Sequence, residues 1–161
     1  MKKKPVVAGI IPYIKKNGNI YLLLGLESKN KKWSGFVGHQ EFSDDSIIDS
    51  AIREFNEETA TMFKSILTNI KLSMNPTNLF YLPKNNNRIF LWFVEFPKEY
   101  MEYDYKTAFI SNRNILKENI YKEKIDIEWI LLEDILFKKI PNVLNIFRIF
   151  LNKHIDKILL L

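Results

Sequence analysis

The stretch that decides the fold is Arg53-Glu54-Phe55-Asn56-Glu57-Glu58-Thr59-Ala60, preceded by Gly38-His39-Gln40-Glu41-Phe42-Ser43-Asp44-Asp45. The spacing predicts a helix over 46–59. Ser46 with Asp49 three residues on makes a capping box. Ile47, Ile48, Ala51, Ile52 and Phe55 form an apolar stripe at helical spacing. On that helix Glu54, Glu57 and Glu58 sit at i, i+3 and i+4, so three carboxylates share one face. Like charges so placed repel by about 0.2–0.5 kcal/mol per pair. Glu58 also falls beside the apolar stripe, where a core side chain would pack better. A helix that accepts both costs calls for a compensating cation, and a hard divalent ion held by oxygens, such as Mg²⁺, suits that face. A solvated acidic helix surface is the plain alternative for three glutamates taken alone.

The surroundings add to the glutamates. The segment resembles the Nudix hydrolase box, G-x5-E-x7-R-E-U-x-E-E-x-G-U, with U a bulky aliphatic. The core R-E-U-x-E-E is intact over residues 53–58, with Phe55 as U, and Gly38 matches the glycine before the box. Four positions depart: His39 replaces the first glycine, Asp45 the first glutamate, Ala60 the last glycine and Thr61 the final U. The resemblance implies an α/β (α+β) fold, a Nudix-type α/β/α sandwich with a mixed sheet, the box helix and a long C-terminal helix. It implies one Nudix domain over 1–161.

It also implies chemistry. Nudix enzymes cleave the diphosphate linkage of a nucleoside diphosphate joined to another group, with Mg²⁺ or Mn²⁺ as cofactor. By resemblance Glu57, Glu58 and the Gly38 carbonyl ligate metal, and Glu54 ligates metal or acts as base. Arg53 is structural, pairing with Asp45. Asp45 is shorter than glutamate by a methylene, and an acid there equally suits a helix entry. His39 carries a strain cost if its position needs a positive φ, and a catalytic His39 is a minor alternative. Ala60 implies that the helix lacks the usual left-handed stop. Many Nudix proteins supply one more acid from a loop before a late strand. Glu123 is the choice here, ahead of Glu118, Asp126 and Glu128.

The substrate is less legible than the reaction. Pro76 stands where ADP-ribose hydrolases carry a proline, but the neighbouring markers are missing. The segment 22–38 is similar to Nudix proteins of phages and large DNA viruses, which keeps an mRNA 5′-cap hydrolase among the alternatives. Another is a Nudix module that binds a nucleotide without turnover. Tyr13, Trp33, Phe80 and Trp92 are candidates to stack on a base, with a core role the simpler reading for each. The expected partner is a small nucleotide, capped RNA included. The oligomeric state, a homodimer among the options, is left open.

Around the box, 6–14 and 20–26 read as strands joined at Lys16-Asn17-Gly18, and Asn-Gly between apolar runs signals a hairpin. Further strands are expected at 63–72, 78–82, 88–96 and 126–132, with a hairpin loop at 83–87. Helices are expected at 133–140 and 141–161, with Pro141 near the N-terminal turn of the second. The span 101–121 is ambiguous.

Composition bounds the rest. The 161 residues are 47% apolar and 27% charged, an ordinary globular mixture. With no cysteine and only His39 and His154, disulfide scaffolds, thiolate sites and multi-histidine zinc sites are excluded. The charged residues at 15–16 and Pro12 argue against reading the N-terminal run as a signal peptide. No apolar run is long enough for a membrane span. A cytoplasmic protein is expected. The net charge of +5 is almost all lysine, whereas arginine is the usual phosphate fork.

Overall fold

The computed structural model describes residues 5–84 and 87–161. The lysines at 2–4 and the tip of the expected 83–87 hairpin, Asn85 and Asn86, lie outside the described residues. The strands are β1 (Val6–Lys16), β2 (Asn19–Glu27), β3 (Trp33–Ser34), β4 (Phe36–His39), β5 (Leu79–Lys84), β6 (Asn87–Glu95) and β7 (Lys124–Leu131). The α-helices are α1 (Ile47–Glu58), α2 (Leu67–Ser73), α3 (Tyr105–Ile115), α4 (Leu132–Leu136), α5 (Asn145–Lys153) and α6 (Ile155–Leu159).

β1 organises the sheet. It pairs with β6 in parallel, with β2 antiparallel through its second half, and with β4 antiparallel through its first half. β2 carries β7 and β3 on its other side. One parallel pair among antiparallel ones makes the sheet mixed. β1 is buried on both faces along most of its length, which is why its sequence is a continuous apolar run rather than an alternating one. The β1–β2 turn places Asn17 at φ 53 and Gly18 at φ 78. Positive φ at both central residues is what a type I′ hairpin demands, and Asn-Gly supplies it.

One sheet face packs against α1, α2 and α3 through Phe36, Phe55, Phe63, Ile70 and Phe109. The other packs against α4, α5 and α6 through Phe93, Ile135, Phe147, Phe150 and Ile158. This is the expected α/β/α sandwich.

Two expectations about elements are corrected, and the ambiguous span is resolved. The span 63–72 is helical, a 3₁₀ turn at Lys64–Ile66 followed by α2. Phe63, Ile70 and Met74 are buried, with Ile66 and Leu67 packed beside them. Those spacings of three and four are a helical stripe, which the β-favouring composition obscured. The ambiguous span holds α3, started by Asp104, whose side chain caps the Thr107 N–H. The single helix expected at 141–161 is two, α5 and α6, divided at His154 (φ −111, ψ 13), and α5 starts at Asn145, so Pro141 lies before its first turn. No helix among the described residues is long and apolar enough to cross a membrane.

Candidate active site

α1 is built as its sequence dictates. Ser46 Oγ accepts the Asp49 N–H at 3.1 Å, capping the helix, and donates to the Asp49 carboxylate at 2.7 Å in place of the capping-box bond to its own N–H. At the other end Ala60 N–H bonds Glu57 O at 3.0 Å and Thr61 N–H bonds Asn56 O at 2.8 Å. These two bonds form a Schellman stop. The left-handed stop is therefore present without a glycine: Ala60 has φ 51 and Thr61 φ 58. Each costs about 1 kcal/mol or more relative to glycine, so the expected loss of the stop is corrected. His39 lies in β4, outside the left-handed region, and carries no such cost.

The glutamates gather against the end of β4. Glu58 is only 4% exposed. Its Oε2 accepts the Val37 N–H at 2.8 Å, and its Oε1 lies 3.4 Å from Lys124 Nζ. Burial pushes the Glu58 carboxyl up to about 8, the Lys124 charge opposing and Glu54 and Glu123 adding to the rise. Glu54 lies flat against Gly38, where a Cβ would stand 2.0 Å from Glu54 Cδ. Only glycine leaves that space. Burial also raises the Glu54 and Glu57 carboxyls, with Arg53 opposing in both cases.

Arg53 ties the cluster together. Its Nη1 lies 2.9 Å from Glu54 Oε1 and 3.1 Å from Glu57 Oε2. Its Nη2 donates to the His39 carbonyl at 2.9 Å. From the loop its carboxylate partner is Asp44, at 3.0 Å from Nε and 3.1 Å from Nη2, so the expected pairing with Asp45 is corrected by one residue. The 41–44 turn, with Glu41 N–H bonded to Asp44 Oδ2 at 2.8 Å, aims Asp44 inward. Asp45 follows in a bend before the cap and is exposed. The arginine bond holds the Asp44 carboxyl below its ordinary value.

Of the downstream acids, Glu123 is exposed at the end of a 3₁₀ turn, and its backbone carbonyl accepts the Ser28 N–H at 2.7 Å. Its charge raises both Glu54 and Glu58. Asp126 and Glu128 are paired with Lys106, at 3.4 and 3.0 Å. Glu118 is exposed at the entry to the same 3₁₀ turn. Among the candidates to stack on a base, Tyr13, Phe80 and Trp92 are core residues, and Trp33 is half-buried against the α5 side.

The donor set is all oxygen, which suits Mg²⁺ or Mn²⁺ rather than a softer ion. Among the described residues, no three Asp, Glu or His side chains converge as a ready-made ion cage. Arg53 Nη1 already occupies the space between Glu54 and Glu57, standing in as their cation. The raised, crowded carboxylates fit a divalent ion once that contact opens. Sequence reasoning missed Lys124, the cation behind Glu58. Gly25, isolated in the Leu-rich β2, was the available signal, since a strand glycine marks a close approach.

No family model matches the chain. A protein of Acanthamoeba polyphaga mimivirus, uncharacterized protein L534, is 36% identical over 96 residues, covering 52% of this chain. The match spans 31% of that protein's length. Solved structures resemble the whole fold. A MutT protein from Methanosarcina mazei superposes with a TM-score of 0.56 at 16% identity, covering 98% of this chain and 97% of that one. A NUDIX-family hydrolase from Clostridium perfringens gives 0.53 at 18% identity, covering 98% and 99%. The C. elegans Ap4A hydrolase binary complex gives 0.52 at 18% identity, covering 96% and 97%. The chain has the Nudix fold.

Proposed function

We propose that the chain is a Nudix pyrophosphohydrolase, a single domain over 1–161, that cleaves the diphosphate linkage of a nucleoside diphosphate joined to another group. The observation that carries this reading is the buried Glu58, fixed at the Val37 N–H beside Glu54, Glu57 and Gly38. A merely solvated acidic face would not hold a carboxylate 4% exposed.

The Gly38 carbonyl, Glu54, Glu57 and Glu58 would hold Mg²⁺, with Mn²⁺ as substitute. When bound, such an ion neutralises phosphate oxygens and lowers the pKa of the attacking water. The chain's residues do the rest. The Val37 N–H holds Glu58, and Gly38 leaves the space that Glu54 fills. Arg53 acts on architecture, holding the 39–44 loop to the helix. Glu123, exposed and close in charge to Glu54 and Glu58, takes the proton from water or adds a carboxylate. The C. elegans neighbour is an Ap4A hydrolase, and a Shewanella oneidensis neighbour, the NUDIX domain of NrtR, was crystallised with ADP ribose. Both ligands belong to the proposed substrate class. A cytoplasmic location completes the reading.

The test is phosphate and nucleotide release from a panel: dinucleoside polyphosphates, ADP-ribose, nucleotide sugars, nucleoside triphosphates and capped RNA, with Mg²⁺ and with chelator. Chelator-sensitive turnover of one small nucleotide is expected. Turnover of capped RNA alone selects the decapping alternative. Tight nucleotide binding with no product selects the non-catalytic module.

A further inference from the structure

Behind Glu58 stands a cation that the mechanism above does not use. Lys124, at the start of β7, is 2% exposed. Its Nζ donates to Ser34 Oγ at 2.8 Å and to the Gly35 carbonyl at 3.1 Å. Glu58 Oε1 lies 3.4 Å away and Glu27 Oε1 3.7 Å. Ser34 Oγ in turn donates to Glu27 Oε1 at 2.7 Å. The ammonium thus sits among four oxygens drawn from β2, the β3–β4 segment and α1. The fold clears a path for its stem. A Cβ on Gly25 would lie 2.8 Å from Lys124 Cδ and 2.9 Å from Cγ.

Taking an ammonium out of water is costly, and an apolar side chain of the same volume would fill this space without that cost. What the ammonium adds is a fixed charge and a direction. Glu58 has one oxygen on the Val37 N–H and the other facing Lys124, so its carboxylate plane is set from two sides. Ser34, itself buried, holds the ammonium from behind.

We propose that Lys124 is a positioning residue, a tethered internal cation that fixes the Glu58 carboxylate and stands in its oxygen cage where an exchangeable ion would otherwise be needed. This inference rests on reading Glu54, Glu57 and Glu58 as a divalent-cation site. It implies that the ion meets Glu58 only through lone pairs left over by Val37 and Lys124. Glu54 and Glu57 then carry the larger share of the binding.

The experiment is chemical rescue. Lys124→Ala removes the ammonium and most of its stem, and Lys124→Met fills the stem without the charge. Mn²⁺ affinity, read by electron paramagnetic resonance of the free ion, and melting temperature are measured with and without propylammonium. Both variants should bind Mn²⁺ about 10- to 100-fold more weakly, the usual loss when an outer partner of a metal ligand is removed. Propylammonium should restore affinity and melting temperature in Lys124→Ala, and leave Lys124→Met and the parent chain unchanged. A Lys124→Ala protein indifferent to the amine, or a Lys124→Met protein that binds Mn²⁺ like the parent, overturns the proposal. If Lys124→Ala does not fold, the decision passes to Lys124→Met, Glu58→Gln and their double variant. A double variant that melts above either single one supports the pairing, and additive losses refute it. A parent chain that binds no Mn²⁺ sinks the cation-site reading, while the melting arms still decide the role of Lys124.

Discussion

The Val37 N–H donates to Glu58 Oε2 at 2.8 Å across 21 residues of sequence. That bond pins the last turn of α1 to β4 and draws a carboxyl into the dry interior. Its group titrates near 8 instead of near 4.5. Without a bound cation, the folded chain therefore holds, between about pH 4.5 and 8, a proton that the unfolded chain has released, and above that window the group is the carboxylate that faces Lys124. Stability from this group is fully present below pH 4.5 and is lost as pH rises through 8, by at most about 1.4 kcal/mol per pH unit. His154 runs the other way: burial lowers its pKa below 6.5, so its contribution is lost as pH falls. Subtracting Glu58→Gln from the parent removes that term. In chelator, the melting-temperature difference between parent and Glu58→Gln should shrink steadily from pH 5 to pH 8. A constant difference would show that Glu58 keeps an ordinary pKa.

Asp44, not Asp45, should carry the stability of the 39–45 loop. Asp44 makes two bonds to Arg53 and is shielded, with its side chain 5% exposed. Asp44→Asn should cost about 1–3 kcal/mol by urea unfolding. Asp45→Asn should stay within about 0.5 kcal/mol of the parent, as exposed sites do. Equal losses at both positions would contradict the pairing.

Gly38→Ala should separate activity from folding. The new Cβ would meet the far end of a glutamate side chain rather than backbone, so Glu54 can swing away and the sheet survives. Turnover should fall by at least about 100-fold, since metal assistance is worth several kcal/mol, while the far-ultraviolet circular dichroism stays that of the parent. An active Gly38→Ala enzyme would remove Glu54 from the site.

In the proposed role, Glu123 would act on the reacting water rather than on substrate binding, so Glu123→Gln should lower kcat with little change in KM. Glu118→Gln, Asp126→Asn and Glu128→Gln should stay within a few-fold of the parent, the last two acids being held by Lys106. Steady-state kinetics on the best substrate of the panel decides it. A collapse confined to one of those three would move the role there.

What could be read from sequence was local and periodic. Asn17-Gly18 has one turn it prefers, Ser46 with Asp49 caps whatever helix follows, and three glutamates at i, i+3 and i+4 share a face by geometry alone. The failures lie where tertiary contacts choose between local options. The loop after Gly38 could present either aspartate to Arg53, and only the 41–44 turn selects Asp44. Ala60 is an unfavourable left-handed residue that burial in the core holds in place. Lys124 gives no periodic signal of burial, because its partners come from residues 27, 34, 35 and 58.

Arg53 has a consequence for how the chain would respond to its surroundings. With Nη1 between Glu54 and Glu57, the two carboxylates would meet an incoming cation with one of their two charges already offset. The apparent dissociation constant is then the intrinsic one divided by the fraction of molecules in which the guanidinium has stood aside. That fraction is governed by the other end of the same side chain, by Asp44 and the His39 carbonyl. If Glu54 and Glu57 hold the proposed ion, the loop over 39–45 would set the ion concentration at which it binds. Substitutions there shift that threshold without altering any of the glutamates.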